Sequence, residues 1–347
     1  IMFPYLFLIS TSSFFAALLN ANGRFALWSF SPIILNLGMI CAMSVSYYLN
    51  LITEIFLAWS VIISGFIQLF IILFWTKVKH IKVTLKKPRI TNNLIKFFKL
   101  LLPNIMAGGI LQINQFIGVI FASSITGAIS WLYYADRIVQ IPMGIFIVSI
   151  STILLTLLSK HSSEKDNTKA KEHIDSALLL TLSITMLSMI GLLVISELIV
   201  DILFRRGKFG YGDVLATSDA IKMYAIGLPA FGLIKIFSVV FFSKKNTFIP
   251  FIISTISMFI NLLLIYFLIG KLGHKGIALA LSISGWINVL MLYLFLIKNN
   301  YWILNKKIIF KIIKLIFSVF IAYVMLSFSY FFVLYSDFIN LNGIFKK

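Results

Sequence analysis

Long runs of apolar residues alternate along the chain with short polar segments. We count ten such runs, and most are long enough to cross a bilayer as a helix that rises about 1.5 Å per residue. The pattern predicts an all-α polytopic membrane protein with about ten transmembrane helices in this chain. The runs lie at residues 3–20, 29–49, 54–76, 97–126, 130–158, 175–200, 217–243, 247–270, 275–297 and 308–335.

The composition supports membrane insertion. Hydrophobic residues make up 60% of the chain and charged residues only 12%, whereas a soluble domain has about 25% charged residues. The runs are also longer than the strands of a membrane barrel, which need about 9–11 residues. We therefore expect helices whose backbone hydrogen bonds are satisfied within each span.

The net charge of +19 could indicate a nucleic-acid-binding protein, but its placement indicates membrane topology instead. The connections after the odd-numbered runs, counted together with three lysines near the starts of the following runs, hold 20 Lys and Arg residues, and those after the even-numbered runs, counted together with one such lysine, hold five. Positive charge accumulates on the cytoplasmic side of membrane proteins. The alternation therefore assigns the odd-numbered connections to the cytoplasm, and no nucleic-acid partner is expected.

Metal and enzyme chemistry find little support in the residues. The chain has one cysteine, Cys41, and four scattered histidines without ligand-like spacing. No P-loop or nucleophile–base pair is present, and Asp136 is the only acid clearly inside a run. Hydrolysis or glycosyl transfer would require paired carboxylates or a metal cluster. We predict no catalytic residue, no metal site and no enzyme activity.

One run carries charges in its first third. Asp136 and Arg137 lie where a charge is costly unless it faces a protein interior or a water-filled cavity. Adjacent helical residues point about 100° apart, so at least one of the two needs another partner. Gln140 adds an amide within a turn, and Pro142 removes a helical hydrogen bond. Two interpretations stay open: a functional polar pocket, or an interfacial segment with an aromatic belt.

Three further polar positions are candidates for a cavity. Lys235 lies in the middle of the seventh run, where it is either a cavity residue or a structural partner of a carbonyl or of an acid in the missing N-terminal helices. Arg24 follows the first run, where it is either a topology charge or a contact at substrate entry. Gln112, with Asn114 and Gln115, either joins helices or lines the cavity.

Three segments together resemble one family. Residues 3–40, 131–160 and 203–213, including the sequence YYADR-x-x-x-x-P at 133–142, resemble the MurJ (MviN) lipid II flippase family of the MATE-like MOP transporter superfamily. The resemblance runs from residue 3 to about residue 330, and the YYADR segment is the most specific part.

The resemblance implies a MATE-like two-lobe helical bundle with fourteen helices in the complete protein. It assigns the last three helices of the N-terminal lobe to residues 1–76 and a basic cytoplasmic linker to 77–96. It assigns the C-terminal six-helix lobe to 97–298 and the start of an extra C-terminal helix pair to 299–347. We therefore expect a fragment that lacks the first three helices and the last.

The family's role implies the function. Lipid II, an undecaprenyl-pyrophosphate-linked disaccharide-pentapeptide, would pass from the cytoplasmic to the outer leaflet of the bacterial inner membrane by alternating access. A cationic central cavity would bind its head group, without a cofactor and with membrane potential or an ion gradient as the driving force. Arg137 matches the family's cavity arginine and Asp136 its neighbouring acid, whereas many members carry Glu at the position of Gln140.

These considerations give six candidate substrate-binding residues: Arg137, Asp136, Gln140, Lys235, Arg24 and Gln112. The expected partners are lipid II and membrane lipids, with other cell-wall synthesis proteins as further candidates. Two alternatives stay open. One is another exporter of the superfamily, such as an O-antigen-type polysaccharide flippase or a multidrug exporter, and the other is a non-transporting scaffold subunit of cell-wall synthesis.

Overall fold

The fold described here is that of a computed structural model. It describes residues 2–21, 31–50, 52–78, 92–164 and 167–344, and these residues form helices and short connections without any β-strand. The helices are α1 Pro4–Ala21, α2 Ser31–Tyr48, α3 Thr53–Val78, α4 Asn92–Ala122, α5 Ala128–Pro142, a π-helical turn Met143–Ile147, α6 Val148–Glu164, α7 Asn167–Phe204, α8 Tyr211–Ala225, α9 Leu228–Ser243, α10 Phe248–Leu272, α11 His274–Lys298 and α12 Lys306–Ile344.

The predicted all-α membrane architecture is confirmed. Within the described ranges, seven segments are long and apolar enough to cross a membrane, and the bent pair of α8 and α9 gives an eighth. Two shorter apolar segments, Pro4–Leu19 and Gln112–Ala122, coincide with the remaining two predicted runs. Helices α5 and α6, with the π-helical turn between them, form a single span.

The chain divides into two units, residues 1–90 and residues 91–347. In unit 1, α3 packs against both α1 and α2. Small residues allow these close approaches: a Cβ at Gly65 would lie 2.7 Å from the Tyr5 ring, and a Cβ at Gly38 would lie 2.1 Å from Ser64 Oγ. A side-chain hydrogen bond from Gln68 Nε2 to Ser31 O (2.8 Å) also ties α3 to the start of α2.

Unit 2 contains two clusters of buried apolar side chains. One includes Leu132 and Ala135 of α5 together with residues of α8 and α11. The other includes Phe241 of α9 and Trp302, which is 1% exposed. Trp302 Nε1 donates a hydrogen bond to Asp175 Oδ1 at 2.8 Å, so the connection before α12 is joined to α7.

A bend of 42° separates α8 from α9. Pro229 near the start of α9 has no backbone N–H to donate to the Ala225 carbonyl, and Gly227 N–H donates to Tyr224 O instead of Met223 O. Two side chains of α11 donate to carbonyls there: Ser282 Oγ to Met223 O at 2.7 Å and Trp286 Nε1 to Ile226 O at 3.0 Å. The broken span is therefore held in shape by its neighbour.

Candidate functional site

Helix α5, which carries the two charges in the span, begins at a turn fixed by packing. Gly127 just before it has a φ of 85°, a conformation that favours glycine, and a Cβ there would lie 2.6 Å from Trp131 Cζ2. Trp131 Nε1 donates to Asp213 Oδ1 at 2.8 Å. The Trp131 ring also meets the His274 ring at a centroid distance of 5.1 Å. These contacts tie the start of α5 to α8 and α11 and so set its orientation.

The other end of α5 loses regular α-helical geometry. Pro142 cannot donate to the carbonyl of Ile138, and the π-helical turn Met143–Ile147 follows directly. Val148 N–H donates to Met143 O, five residues back. Such π-helical turns are rare and occur frequently at functional sites. Here the turn begins within two helical turns of the charged pair.

A cleft of about 250 Å³ lies beside α5 within unit 2. Residues of α4, α5, α8, α10 and α11 line it, so every wall belongs to one unit. Most of the lining is apolar, as in many ligand sites, with a small number of polar groups. The polar residues that line the cleft are Asn114, Gln115, Tyr133, Asp136, Arg137, Tyr224 and Asn261.

Gln140 connects the two charged residues of the cleft. Its Nε2 donates to Asp136 Oδ2, and its Oε1 accepts a hydrogen bond from Arg137 Nη1 at 3.4 Å. Within the described residues neither charge forms a salt bridge, so the acid and the base are joined only through the amide. The expectation that adjacent charges need another partner is confirmed, and Gln140 is that partner.

The guanidinium of Arg137 keeps most of its donors available. Arg137 is exposed, and its Cζ lies 4.7 Å from the centroid of the Tyr133 ring. A ring face below a guanidinium holds it in place by a cation–π interaction and takes none of its five N–H donors. Donors that remain free can bind two oxygens of a phosphate or carboxylate at once.

The side of the cleft formed by α4 and α10 is polar but uncharged. Asn261 Nδ2 donates to Asn114 Oδ1 at 2.8 Å, which joins α10 to α4. Asn261 is 2% exposed, and Gln115 adds a further amide. The cleft therefore has one side on α5 that carries charged side chains. Its other side, on α4 and α10, carries amide side chains and no charge.

The six candidate residues lie at different places in the structure. Arg137 and Asp136 line the cleft, and Gln140 bonds to both. Gln112 on α4 and Lys235 on α9 are exposed, but neither is among the residues that line the cleft. Arg24 lies outside the described residues.

Three polar residues of the cleft, Tyr133, Tyr224 and Asn261, were not among the sequence candidates. Asn261 had a detectable signal, since it is an amide inside the apolar run at 247–270. Tyr224 had none, because a tyrosine in the mixed segment before Gly227 gives no periodic or charge signal. Its place in the cleft depends on the bend between α8 and α9, which brings residues distant in sequence together.

The sequence matches a family model described as lipid II flippase MurJ over residues 1–344. A relative from Rhizobium meliloti, described as a probable lipid II flippase MurJ, is 34% identical over 307 residues, which cover 87% of this chain and 57% of the relative. A relative with the same description from Buchnera aphidicola of Acyrthosiphon pisum is 37% identical, with 84% of this chain and 57% of the relative covered. The chain thus spans less than two thirds of the length of these relatives.

Solved structures show the same fold. A lipid II flippase MurJ in an inward closed conformation superposes with a TM-score of 0.74 at 28% identity, covering 97% of this chain and 73% of that one. An inward-facing MATE family multidrug transporter of the MOP superfamily superposes with a TM-score of 0.72 at 13% identity, covering 84% and 68%. At that identity the second similarity concerns the fold alone. The family match and the seven or more apolar helices indicate a multi-pass protein of the bacterial inner membrane.

Proposed function

Because this chain belongs to the MurJ lipid II flippase family, we propose that it forms part of a transporter that moves lipid II across the bacterial inner membrane. The proposal covers the substrate, the direction from the cytoplasmic to the outer leaflet, and a mechanism of alternating access. It is a transport function that breaks no covalent bond. Asp136 is the single carboxylate among the described residues of the cleft, which is consistent with binding rather than hydrolysis.

The observation that carries the proposal is the Asp136–Gln140–Arg137 network in the unit 2 cleft. A pyrophosphate offers several oxygens that only accept hydrogen bonds, and the Arg137 fork can donate to two of them. Each hydrogen bond to a charged group contributes about 1.5–3 kcal/mol. The Tyr133 ring and Gln140 restrict the guanidinium before the lipid arrives, which lowers the entropy cost of binding.

In this proposal Asp136 limits how tightly the cleft binds the diphosphate. The formal charges of Asp136 and Arg137 cancel in the empty cleft, so the site gains a net negative charge only when the diphosphate enters. A site that binds an anion too tightly would not release it on the other side. The neighbouring carboxylate limits the affinity while leaving the Arg137 donors accessible, because Gln140 and not Asp136 contacts the guanidinium.

Other residues and the energy source belong to the same proposal. Lys235, Gln112 and Arg24 are additional substrate contacts, made outside the described cleft or at another stage of transport. No cofactor is required, and the membrane potential or an ion gradient drives the cycle. Moving one charge through 100 mV is worth about 2.3 kcal/mol, which is comparable to one charge-assisted hydrogen bond.

A transport assay tests the proposal. The full-length protein would be placed in vesicles with fluorescent lipid II, and exposure of the head group on the opposite side would be followed over time. We expect transfer of lipid II and slower transfer of a polyprenyl phosphate-linked glycan that lacks the pyrophosphate. Equal or preferred transfer of the second lipid would favour another exporter of the superfamily. Tight binding of lipid II without transfer of either lipid would favour a scaffold.

A further inference from the structure

Tyr224 lines the cleft although its side chain belongs to the core of unit 2. The residue is 8% exposed and packs in the same buried cluster as Leu132 and Ala135. A ring that is fixed in a core loses little further freedom when its polar tip binds a ligand. The described residues include no hydrogen-bond partner for the Tyr224 hydroxyl, which therefore remains available to a ligand.

The backbone around Tyr224 is fixed by the bend between α8 and α9. Gly227 N–H donates to Tyr224 O at 2.9 Å, and Ser282 Oγ donates to Met223 O at 2.7 Å. A Cβ at Gly227 would lie 2.6 Å from Ser282 Oγ, so α11 approaches this point closely. The backbone that carries the Tyr224 ring is therefore held in place by the broken span and by α11.

Tyr224 and Asp136 line the same cleft, so a ligand bound there can meet both side chains. An ionised carboxylate accepts hydrogen bonds but does not donate them, and it repels phosphate oxygens. A tyrosine hydroxyl both donates and accepts. The part of the cleft beside Tyr224 and Asp136 consequently suits a neutral group rich in O–H and N–H donors. Arg137, next to Asp136 on α5, suits the phosphate.

We propose that Tyr224 is a specificity-determining residue, whose hydroxyl acts with Asp136 to bind the sugar attached to the pyrophosphate. The inference rests on the proposed function and adds a division of labour within the site: Arg137 holds the diphosphate, and Tyr224 with Asp136 reads the first sugar. The amides of Asn114 and Gln115 line the same cleft and can complete the shell around sugar hydroxyl or acetamido groups.

The size of the cleft fits this assignment. Its volume of about 250 Å³ is below the roughly 300–1,000 Å³ of pockets that enclose a drug-sized ligand. That space suits one sugar ring next to a phosphate and is too small for a disaccharide with its peptide. The remainder of the head group would lie outside the cleft.

The test compares the affinity of the full-length protein for three lipids: a polyprenyl pyrophosphate without sugar, the same lipid with the disaccharide, and the lipid with disaccharide and peptide. The variant is Tyr224→Phe, which removes one oxygen and keeps the buried ring. We expect the ratio of disaccharide-lipid to sugar-free-lipid affinity to fall about 2- to 10-fold, the effect of one neutral hydrogen bond. The affinity for the sugar-free lipid should change less than the affinity for the disaccharide lipid.

A matched control is available in the same unit. Tyr293 lies on α11 with its ring stacked on Phe237 at a centroid distance of 6.2 Å, and it does not line the cleft. Tyr293→Phe removes the same oxygen and should leave the affinity ratio unchanged. Thermal unfolding of both variants would show that any change in the ratio does not come from loss of fold.

The outcomes separate the inference from the function beneath it. An unchanged ratio in Tyr224→Phe, with normal binding by the unmodified protein, would overturn the sugar contact and leave the flippase proposal intact. A loss confined to the peptide-bearing lipid would mean that Tyr224 contacts the peptide, which also overturns the inference. If the unmodified protein bound none of the three lipids, the proposed function itself would be wrong.

Discussion

The two units of the chain each contain a cleft, and the two clefts differ in kind. The cleft in unit 1 lies between α2 and α3, has a volume of about 710 Å³ and is lined by no charged residue. The cleft in unit 2 is smaller, about 250 Å³, but contains Asp136, Arg137 and a set of amides and hydroxyls. The chemistry of the lining, rather than the volume, therefore identifies the place where a charged head group can bind.

The unit 1 cleft is suited to hydrocarbon. Residues such as Leu37, Val45 and Ile63 line it, and its few polar members are small, such as Ser60 and Ser64. Serines inside helices commonly bond to carbonyls one turn back, as Ser60 Oγ does to Leu57 O at 2.8 Å. A diphosphate placed there would lose its hydration without gaining a cation. We therefore expect variants in this cleft to have small effects on head-group binding.

The largest expected effect comes from Arg137. Arg137→Gln in the full-length protein should lower lipid II transport about 10- to 100-fold, because hydrogen bonds to a charged group of about 1.5–3 kcal/mol are lost. Arg137→Lys keeps the charge but loses the planar fork, so transport should fall to an intermediate value. The measurement is the initial rate of lipid II transfer in vesicles, supported by rescue of a strain depleted of its own flippase.

Lys235→Arg provides the matched comparison for Arg137→Lys. Lys235 is exposed on α9 and does not line the unit 2 cleft, so this exchange should impair transport less. Equal rescue of the depleted strain by Arg137→Lys and Lys235→Arg would show that the guanidinium geometry at position 137 has no special role.

The next effect contrasts the two clefts directly. Val119 lines the unit 2 cleft and Val45 the unit 1 cleft, and their exposures are similar at 47% and 44%. Val119→Phe should fill part of the smaller cleft and weaken lipid II binding about 5-fold or more, since a steric conflict with the ligand of about 1–3 kcal/mol corresponds to about 5- to 150-fold. Val45→Phe should change the affinity by less than about twofold. A dissociation constant measured for both variants checks this, and a larger loss for Val45→Phe would reverse the assignment of the clefts.

Features of the fold and of the cleft that depend on neighbouring residues could be predicted from the sequence, whereas those that depend on contacts between distant residues could not. The ten apolar runs and the charged pair at Asp136 and Arg137 were readable because burial depth and charge are local properties. The direction of a side chain within a span was not readable, so Lys235 was a candidate although it lies outside the cleft. Tyr224 was missed because its place depends on the backbone next to it, where Met223 O accepts a hydrogen bond from Ser282 Oγ, 59 positions away.

The irregular backbone was predictable only in part. Pro142 indicated a break in the fifth run, and the structure shows that the break takes the form of a π-helical turn. The bond between Trp131 and Asp213, which fixes the start of α5, joins residues 82 positions apart and has no counterpart in any local pattern. Long-range pairs of this kind determine which face of each helix meets its neighbours.

A moderate effect is expected for Gln140. Gln140→Leu removes the group that bonds to both Asp136 and Arg137, so the guanidinium becomes less restricted and transport should fall about 3- to 10-fold. Gln112→Leu is the comparison on α4, where the side chain is exposed and outside the cleft, and its effect should be smaller. Transport rates for both variants, at matched protein levels, test the ranking. A stronger effect of Gln112→Leu would contradict the network described here.

The smallest effects on transport should come from the supporting aromatic residues. Trp131→Phe removes the hydrogen bond to Asp213 and should lower the free energy of unfolding by about 1 kcal/mol. Transport should fall less than about threefold, because neither residue lines the cleft. Trp59 lines the unit 1 cleft and is 54% exposed. Trp59→Phe should therefore lower Tm less than Trp131→Phe does. Thermal unfolding in detergent with a structure-sensitive probe compares the two, and equal Tm values would contradict the anchoring role of Trp131.

The most direct test locates the head group itself. A photoreactive side chain would be placed at position 119 or at position 45 of the full-length protein, and each version would be illuminated in membranes containing lipid II with a label on its head group. The account predicts labelled crosslinks at position 119, which depend on Arg137, and none above background at position 45. Crosslinks to the head group at position 45, with none at position 119, would contradict the claim that the charged cleft of unit 2 binds the substrate.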